Sequence, residues 1–96
     1  MITVYKYELP NKSYFELELP KNSRILKVDA QGYNNVIWAF VNTDAKPEIR
    51  QFWKVGTGFN LDTRGNVLTY IGTWQDGDTD LVWHLFEVLK NPYMEE

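Results

Sequence analysis

The sequence has no cysteine, a single histidine and no long apolar run. The absence of cysteine excludes disulfides, thiolate nucleophiles and thiolate-ligated zinc or iron–sulfur centres. His84 alone cannot form a multi-histidine metal site or a serine–histidine–aspartate array, since Ser13 and Ser23 lie in turn-like segments. No Walker-type phosphate loop is present either. Because no reaction signature remains, we expect no catalytic residues, no cofactor and no metal.

Positive charge is also scarce, since the formal net charge is −3 at pH 7. A protein that holds a nucleic-acid backbone needs clustered lysine and arginine, so we expect no nucleic-acid partner. No apolar stretch approaches the ~20 residues that cross a bilayer, and the N-terminal residues lack the features of a signal peptide. We therefore expect a cytoplasmic protein that does not bind membranes.

What the chain does contain is the composition of a folded domain. Of its 96 residues, 44% are hydrophobic and 24% are charged, which is typical of a globular protein and not of a disordered tail. The length allows one compact core. We predict a single β domain over residues 1–96, in which residues 91–96 form a frayed tail.

The apolar pattern has period 2 throughout, in short runs rich in valine, isoleucine, threonine and aromatics. Clusters of proline, glycine, asparagine and aspartate separate these runs at roughly ten-residue intervals. This pattern predicts an all-β fold, a small antiparallel sandwich or barrel of about seven strands. The predicted strands are residues 2–9, 14–19, 24–31, 36–43, 49–55, 67–74 and 81–89.

The seventh run has an alternative interpretation. Leu81, Leu85 and Leu89 recur every four residues, which would suit a helix. The run also follows an Asp-Gly hairpin signal and is dense in valine, tryptophan and phenylalanine, which favours a strand. We predict the strand.

Alternation also assigns side chains to faces. In the second strand it points Phe15, Leu17 and Leu19 to the core, and in the third it points Leu26, Val28 and Ala30 to one face. The fourth and seventh strands are apolar on both faces, which a two-layer monomer cannot hide. Either the strands close a barrel beneath other elements or a second subunit covers them, and we favour a homo-oligomer.

Among the tryptophans, Trp38, Trp53 and Trp83 are expected in the core, and Trp74, beside a polar turn, is expected to be the most exposed.

One stretch, "RQFWKVGTG", suggests a ligand site. Its alternation places Arg50, Phe52 and Lys54 on one side and leaves Gln51, Trp53 and Val55 for the core. Arginine offers a planar fork for phosphate or carboxylate, lysine a point charge, and phenylalanine a stacking ring. The side with the two cations is therefore predicted to bind an anionic, nucleotide-like ligand.

Further residues extend this predicted site. Gly56, Thr57 and Gly58 can turn backbone N–H groups toward an anion. Arg64 is a further phosphate contact, Trp74 a second stacking ring, and His84 borders the pocket unless it is a core histidine. The alternative is a plain strand and turn, because hairpins need the same glycines. Asp76, Asp78 and Asp80 are interpreted as a solvated turn, since their spacing lacks the ligands of a calcium loop.

Five segments carry a resemblance to known proteins: "YKYEL", "ELPKNSRILKVDAQ", "IWAFVN", E-x-R-x-F-x-x-x-GTG and "YIGTW…LVWHLFE". Together they resemble a family of small proteins encoded by tailed bacteriophages and prophages, over residues 5–87. The resemblance implies an anti-defence protein that works by binding, such as one that sequesters a nucleotide-derived immune messenger in the host cytoplasm.

That sponge-type function is our leading expectation. The main alternative is an interaction protein that inhibits a host defence or replication protein by direct contact through aromatic anchors. A structural role in the virion, a hydrolase using His84, and sequence-independent nucleic-acid binding are lesser alternatives.

Overall fold

The computed structural model describes residues 1–89 and contains seven β-strands and no helix in that range. The predicted all-β class is confirmed, and the seventh run is a strand. The predicted fraying of residues 91–96 lies outside the described residues. The strands are β1 (Ile2–Glu8), β2 (Tyr14–Pro20), β3 (Arg24–Gln31), β4 (Asn34–Asn42), β5 (Pro47–Gly56), β6 (Val67–Gln75) and β7 (Val82–Leu89).

The strands form two antiparallel sheets that pack as a sandwich. The smaller sheet has the order β1-β4-β3 and the larger has the order β2-β5-β7-β6. Each sheet keeps its own edge strands, so the strands do not close a barrel. Gly32 and Tyr33 join β3 to β4, and residues 76–81 join β6 to β7 as the predicted hairpin.

Apolar side chains from both sheets fill the space between them. The predicted inward face of β2 is confirmed, since Phe15 is 4% exposed and Leu19 is 0% exposed. Phe15 stacks on Phe52 with 5.5 Å between ring centroids. The core consists of Phe15, Leu19, Val28, Ile37, Ala39, Val41, Phe52, Trp74 and Leu85.

The face of β5 that was predicted to bind ligand points into the core. Phe52 and Lys54 are buried, whereas Ile49 is exposed and Trp53 is half-buried on the outer side. The register with β2 places Phe52 directly opposite the buried Phe15, and opposed residues of an antiparallel pair share a face. The prediction was wrong because both faces of β5 carry a large ring. Alternation sorts such residues into two sets without saying which set is inside.

β3 departs from the predicted alternation at one position. Val28 is buried as expected, but Leu26 is 45% exposed. A register shift between Ile25 and Lys27 interrupts the pairing with β4. Because a bulge adds one residue to its strand, Leu26 leaves the core face.

The tryptophans are placed almost in reverse of the prediction. Trp74 is only 5% exposed and belongs to the core, so its predicted exposure is wrong. Trp83 packs against the core as expected. Trp38 and Trp53 are half-buried on the outer faces of their sheets, since each alternates with buried neighbours that point inward.

Two glycines let the sheets approach closely at one end. A Cβ on Gly77 would lie 2.1 Å from the carbonyl oxygen of Gly32, and a Cβ on Gly72 would lie 2.7 Å from a methyl carbon of Val28. The β6–β7 loop therefore rests directly on the β3–β4 turn. Tyr33, Asp76 and Asp78, which are adjacent in sequence to Gly32 and Gly77, line a polar cleft.

Residues 1–89 include no helix of the length and apolarity that membrane crossing requires.

Candidate functional site

A polar cleft opens at the end of the sandwich where the β3–β4 turn meets the β6–β7 loop. Its volume is about 370 Å³, which lies at the lower end of the range of small-molecule sites. Lys54 and Trp83 form its floor on the larger sheet. Its walls include Asn11, Tyr33, Asn34, Asn35, Asp76 and Asp78.

Lys54 is the buried cation of this cleft. Its side chain is on the core face of β5 and the residue is 4% exposed. The ammonium lies 4.5 Å from the centroid of the Trp83 ring, a cation–π contact. Within residues 1–89, neither an ion pair nor an acceptor for the Nζ protons is present. Burial lowers the pKa of Lys54 from its usual 10.5, and the charge of Asp76 partly opposes that effect.

Asp76 is an acceptor hub beside Lys54. Its Oδ2 accepts from the indole N–H of Trp83 at 3.0 Å and from the hydroxyl of Thr79 at 3.3 Å. Its Oδ1 accepts from the backbone N–H of Asp78 at 3.1 Å and from the amide of Asn35 at 3.5 Å. The bond from Trp83 is the largest of the effects that lower the pKa of Asp76. The carboxylate is thus ionised and already saturated with donors.

Trp74 connects this hub to the core. Its indole N–H donates to Oδ1 of Asn35 at 2.9 Å, and Asn35 in turn donates to Asp76. The network therefore links β4, β6, the β6–β7 loop and β7. Trp74 was predicted as a stacking ring, but it is a buried support of the cleft.

Arg50 lies elsewhere and is fully engaged. Its guanidinium makes a bidentate pair with Glu87, at 2.6 Å and 2.8 Å, and donates to the carbonyl oxygen of Ser23. The bond to Glu87 raises the pKa of Arg50. The structure therefore does not bring Arg50 to the cleft, and it stabilises the packing between β5 and β7.

Phe52 and Gly56 are both buried on the core face of β5. Phe52 is 0% exposed, so no ligand can stack on it without opening the core. Gly56 lies under the ring of Phe59, whose nearest atom would be 3.4 Å from an added Cβ. The predicted stacking role of Phe52 is therefore wrong.

Thr57 and His84 meet on the outer face of the larger sheet. The Thr57 hydroxyl lies 2.7 Å from Nε2 of His84, and Nδ1 lies 2.9 Å from the hydroxyl of Thr73. The Tyr70 hydroxyl lies 2.6 Å from Thr73 and extends the chain of polar contacts. Both ring nitrogens of His84 thus have partners, away from the Lys54 cleft. Gly58, with φ of +84°, supplies the turn after this pair.

Arg64 lies over an aromatic row that alternation alone did not reveal. Its guanidinium carbon is 5.7 Å from the centroid of Trp53. Strand pairing sets Trp53 between Tyr14 and Phe86, and Phe86 opposite Tyr70. We call these four residues, Tyr14, Trp53, Phe86 and Tyr70, the outer aromatic row. They cross all four strands of the larger sheet.

Comparison with known families matches residues 1–94 to a domain of unknown function, DUF7352. The chain belongs to this family. No curated protein and no solved structure matches it.

In this DUF7352 chain, sequence reasoning identified one residue of the cleft, Lys54, and missed its surroundings. Asp76 was interpreted as part of a solvated turn because Asp-Gly-Asp patterns are common in turns. The backbone bond from Asp78 to Asp76 fits that local signal. The contacts with Trp83 and Asn35 come from other strands, 7 and 41 residues away in the chain. No local pattern could have predicted them.

A metal centre has no ligand set in the described range. Among residues 1–89, no three histidine, aspartate or glutamate side chains converge in a way that could hold an ion. The cleft therefore offers one ammonium, the carboxylates of Asp76 and Asp78, neutral amides and aromatic rings.

Proposed function

We propose that the protein is a non-catalytic binding protein that holds a small, anionic, nucleotide-like ligand in the Lys54 cleft. The observation that carries this proposal is Lys54, a largely buried residue whose ammonium opens into the cleft and has no acceptor within residues 1–89. Burial lowers the pKa of this lysine, so its charge is incompletely hydrated, and an anionic ligand would supply the partner that the protein does not.

The neighbouring groups support binding over catalysis. Asp76 is the carboxylate of the cleft that would be the candidate for a catalytic base. However, its oxygens accept four hydrogen bonds and its pKa is lowered. A general base needs a pKa near the working pH and a free oxygen. Asp76 therefore serves to hold Trp83 and Asn35 in place.

The ligand contacts in this proposal differ from the predicted set. Lys54 remains the anion contact, and Arg50 and Phe52 are withdrawn because both are engaged in the fold. Tyr33, which is 81% exposed at the cleft mouth, takes the place of Phe52 as the candidate stacking ring. Stacking on such a ring stabilises a bound base by about 1–3 kcal/mol.

The finer form of the proposal is sequestration of a nucleotide-derived immune messenger by a phage protein in the cytoplasm of its host. The resemblance to phage and prophage proteins supports it, together with a cleft suited to reversible binding. A heat-release experiment addresses it directly. The purified protein is incubated with lysate from cells whose defence signalling is active, then denatured, and any released small molecule is identified. Recovery of a chemically changed nucleotide would contradict sequestration.

Calorimetry tests the binding proposal itself. The protein is titrated with 3′,5′-cyclic mononucleotides and with ADP-ribose, and the variant Lys54→Met is compared with the exposed control Lys12→Met. Loss of a charged hydrogen bond costs about 1.5–3 kcal/mol, so Lys54→Met should weaken binding by roughly tenfold or more. Lys12→Met should bind as the wild type does. Absence of binding across the panel, or equal binding by Lys54→Met, would reject the proposal.

A second candidate function is inhibition of a host defence or replication protein by direct contact. The outer aromatic row favours it, because Tyr70 is 58% exposed and Tyr14 is 37% exposed on an open sheet face. Aromatic anchors of this kind dominate protein interfaces. Co-purification with a host protein that Tyr70→Ala abolishes and Lys54→Met leaves intact would support this function over ligand binding.

A further inference from the structure

We infer that the ligand of the Lys54 cleft carries a single negative charge, a phosphodiester or a carboxylate, and not a polyphosphate or a dianionic phosphate. This inference rests on the proposed function and specifies its ligand class. The observation behind it is the set of charges that line the cleft, taken with the hydrogen bonds that each charged group already makes.

The cleft offers one cation for an anionic group to approach. Lys54 is the only lysine or arginine among the described residues that line it, whereas Asp76 and Asp78 both contribute carboxylates. The first negative charge of a ligand would face the unpartnered ammonium. A second would have no cation and would lie close to two carboxylates, where like charges repel.

The two arginines that the sequence suggested as phosphate contacts are held away from the cleft. Arg50 is paired with Glu87 between β5 and β7. Arg64 lies over Trp53 on the outer face of the larger sheet. Neither can reach the cleft without breaking these contacts.

The rest of the cleft suits the neutral part of such a ligand. Asn11 and Asn34 place amide groups on its wall, and Tyr33 places a ring at its mouth. Its volume of about 370 Å³ is near the lower end of the range of small-molecule sites. That space fits one base with one charged group and is small for an oligonucleotide.

A series of ligands with one base and increasing charge tests this inference. The purified full-length chain is titrated by calorimetry with adenosine, 3′,5′-cyclic AMP, AMP and ATP, and the series is repeated with guanosine, cytidine and uridine compounds. A phosphomonoester carries close to two charges at pH 8, since its second pKa is about 6. In the series whose base fits, we expect the cyclic monophosphate to bind at least tenfold more tightly than the nucleoside, the monophosphate and the triphosphate.

The same titration distinguishes the two sources of a single charge. Benzoate is the carboxylate probe, and its binding in place of every nucleotide would assign the site to singly charged carboxylates and reject the nucleotide-like ligand of the proposed function. Tighter binding of AMP or ATP than of cyclic AMP, with loss in Lys54→Met, would overturn the charge assignment and leave the proposed function standing. If no nucleoside, nucleotide or carboxylate binds, the proposed function fails together with this inference.

Two variants locate the effect in the cleft. Asp78→Asn removes one of the two carboxylates, so it should strengthen AMP binding several-fold more than cyclic AMP binding. Glu18→Gln makes the same change of charge on β2 and should alter neither affinity. An equal response of both ligands to Asp78→Asn would contradict the inferred repulsion.

Discussion

Lys54 is the anion contact of the proposed site, and it lowers the stability of the ligand-free fold. Its ammonium lies against the Trp83 ring, and burial of the residue is the largest of the effects on its pKa. The cation–π contact with Trp83 compensates part of the free energy lost when the ammonium is removed from water. The lowered pKa of Lys54 indicates that the compensation is incomplete. Residues that are retained at such a cost are typical of binding sites, where stability and function oppose each other.

Replacing Lys54 should therefore stabilise the ligand-free protein. At pH 7 the lysine is charged in both the folded and the unfolded chain, so the full penalty acts on the folded state. As the pH rises from the lowered folded pKa toward 10.5, the folded chain loses this proton first and the penalty disappears. We expect Lys54→Met to raise the free energy of unfolding at pH 7 and to raise it less near pH 10.

Urea denaturation at the two pH values measures this difference. Lys12→Met, at an exposed position, should match the wild type at both. A Lys54→Met variant that is less stable than the wild type at pH 7 would show that the ammonium is well solvated or paired in the folded protein.

Replacing Arg50, unlike replacing Lys54, is expected to lower the free energy of unfolding. Its bidentate pair with Glu87 is largely buried, with side-chain exposures of 17% and 16%. Removing one partner leaves the other charge without compensation, so Arg50→Met should lower the free energy of unfolding by about 3 kcal/mol. The double variant Arg50→Met with Glu87→Met should recover part of that loss in a denaturation cycle. Additive effects of the two substitutions would contradict the pairing.

At the scale of elements, the cleft depends on the contact between two hairpin connections. Gly77 lies so close to the carbonyl oxygen of Gly32 that an added Cβ cannot fit without moving backbone. Gly77→Ala should therefore separate the β3–β4 turn from the β6–β7 loop. We expect a loss of about 2 kcal/mol in stability and weaker ligand binding, measured by denaturation and calorimetry. Gln75→Ala, at a neighbouring exposed position, is the control, and wild-type behaviour of Gly77→Ala would mean that the two connections move independently.

The strands themselves were largely predictable from the sequence. The period-2 runs gave all seven strands with ends displaced by no more than two residues, because alternation and turn residues are local signals. The faces were less predictable. β2 has one apolar face and was assigned correctly, whereas β5 has a ring on each face and was assigned in reverse. The bulge that exposes Leu26 arises from pairing with β4 and leaves no local trace.

At the scale of the whole molecule, the outer aromatic row is an open, partly exposed apolar surface. The described chain is flat, with extents of 38 × 36 × 17 Å, and a standard interface needs about 800 Å² from each partner. One broad face of the sandwich is large enough to supply that area. We propose that a second copy covers the row, as expected from the two apolar faces of β7.

Light scattering of the purified protein tests this self-association. The expected mass is that of a dimer, and Tyr70→Glu should shift it to the monomer because a charge would be buried in the apolar contact. Tyr33→Glu, at the cleft mouth, introduces the same charge and should leave the dimer intact. A monomeric wild-type protein would reject self-association and leave the row available to a foreign protein, as the second candidate function requires.

The sequence by itself determined the all-β class, the positions of the seven strands and the β6–β7 hairpin, because periodicity and turn chemistry act over a few residues. It also singled out Lys54, through its place in an alternating run with Arg50 and Phe52. Only the tertiary structure decided that this run faces inward, that Arg50 is paired with Glu87, and that Lys54 meets Asp76 and Trp83 in a cleft. The physical reason is that strand register and sheet packing join residues that are distant in the chain, and that they determine which of two similar faces is buried.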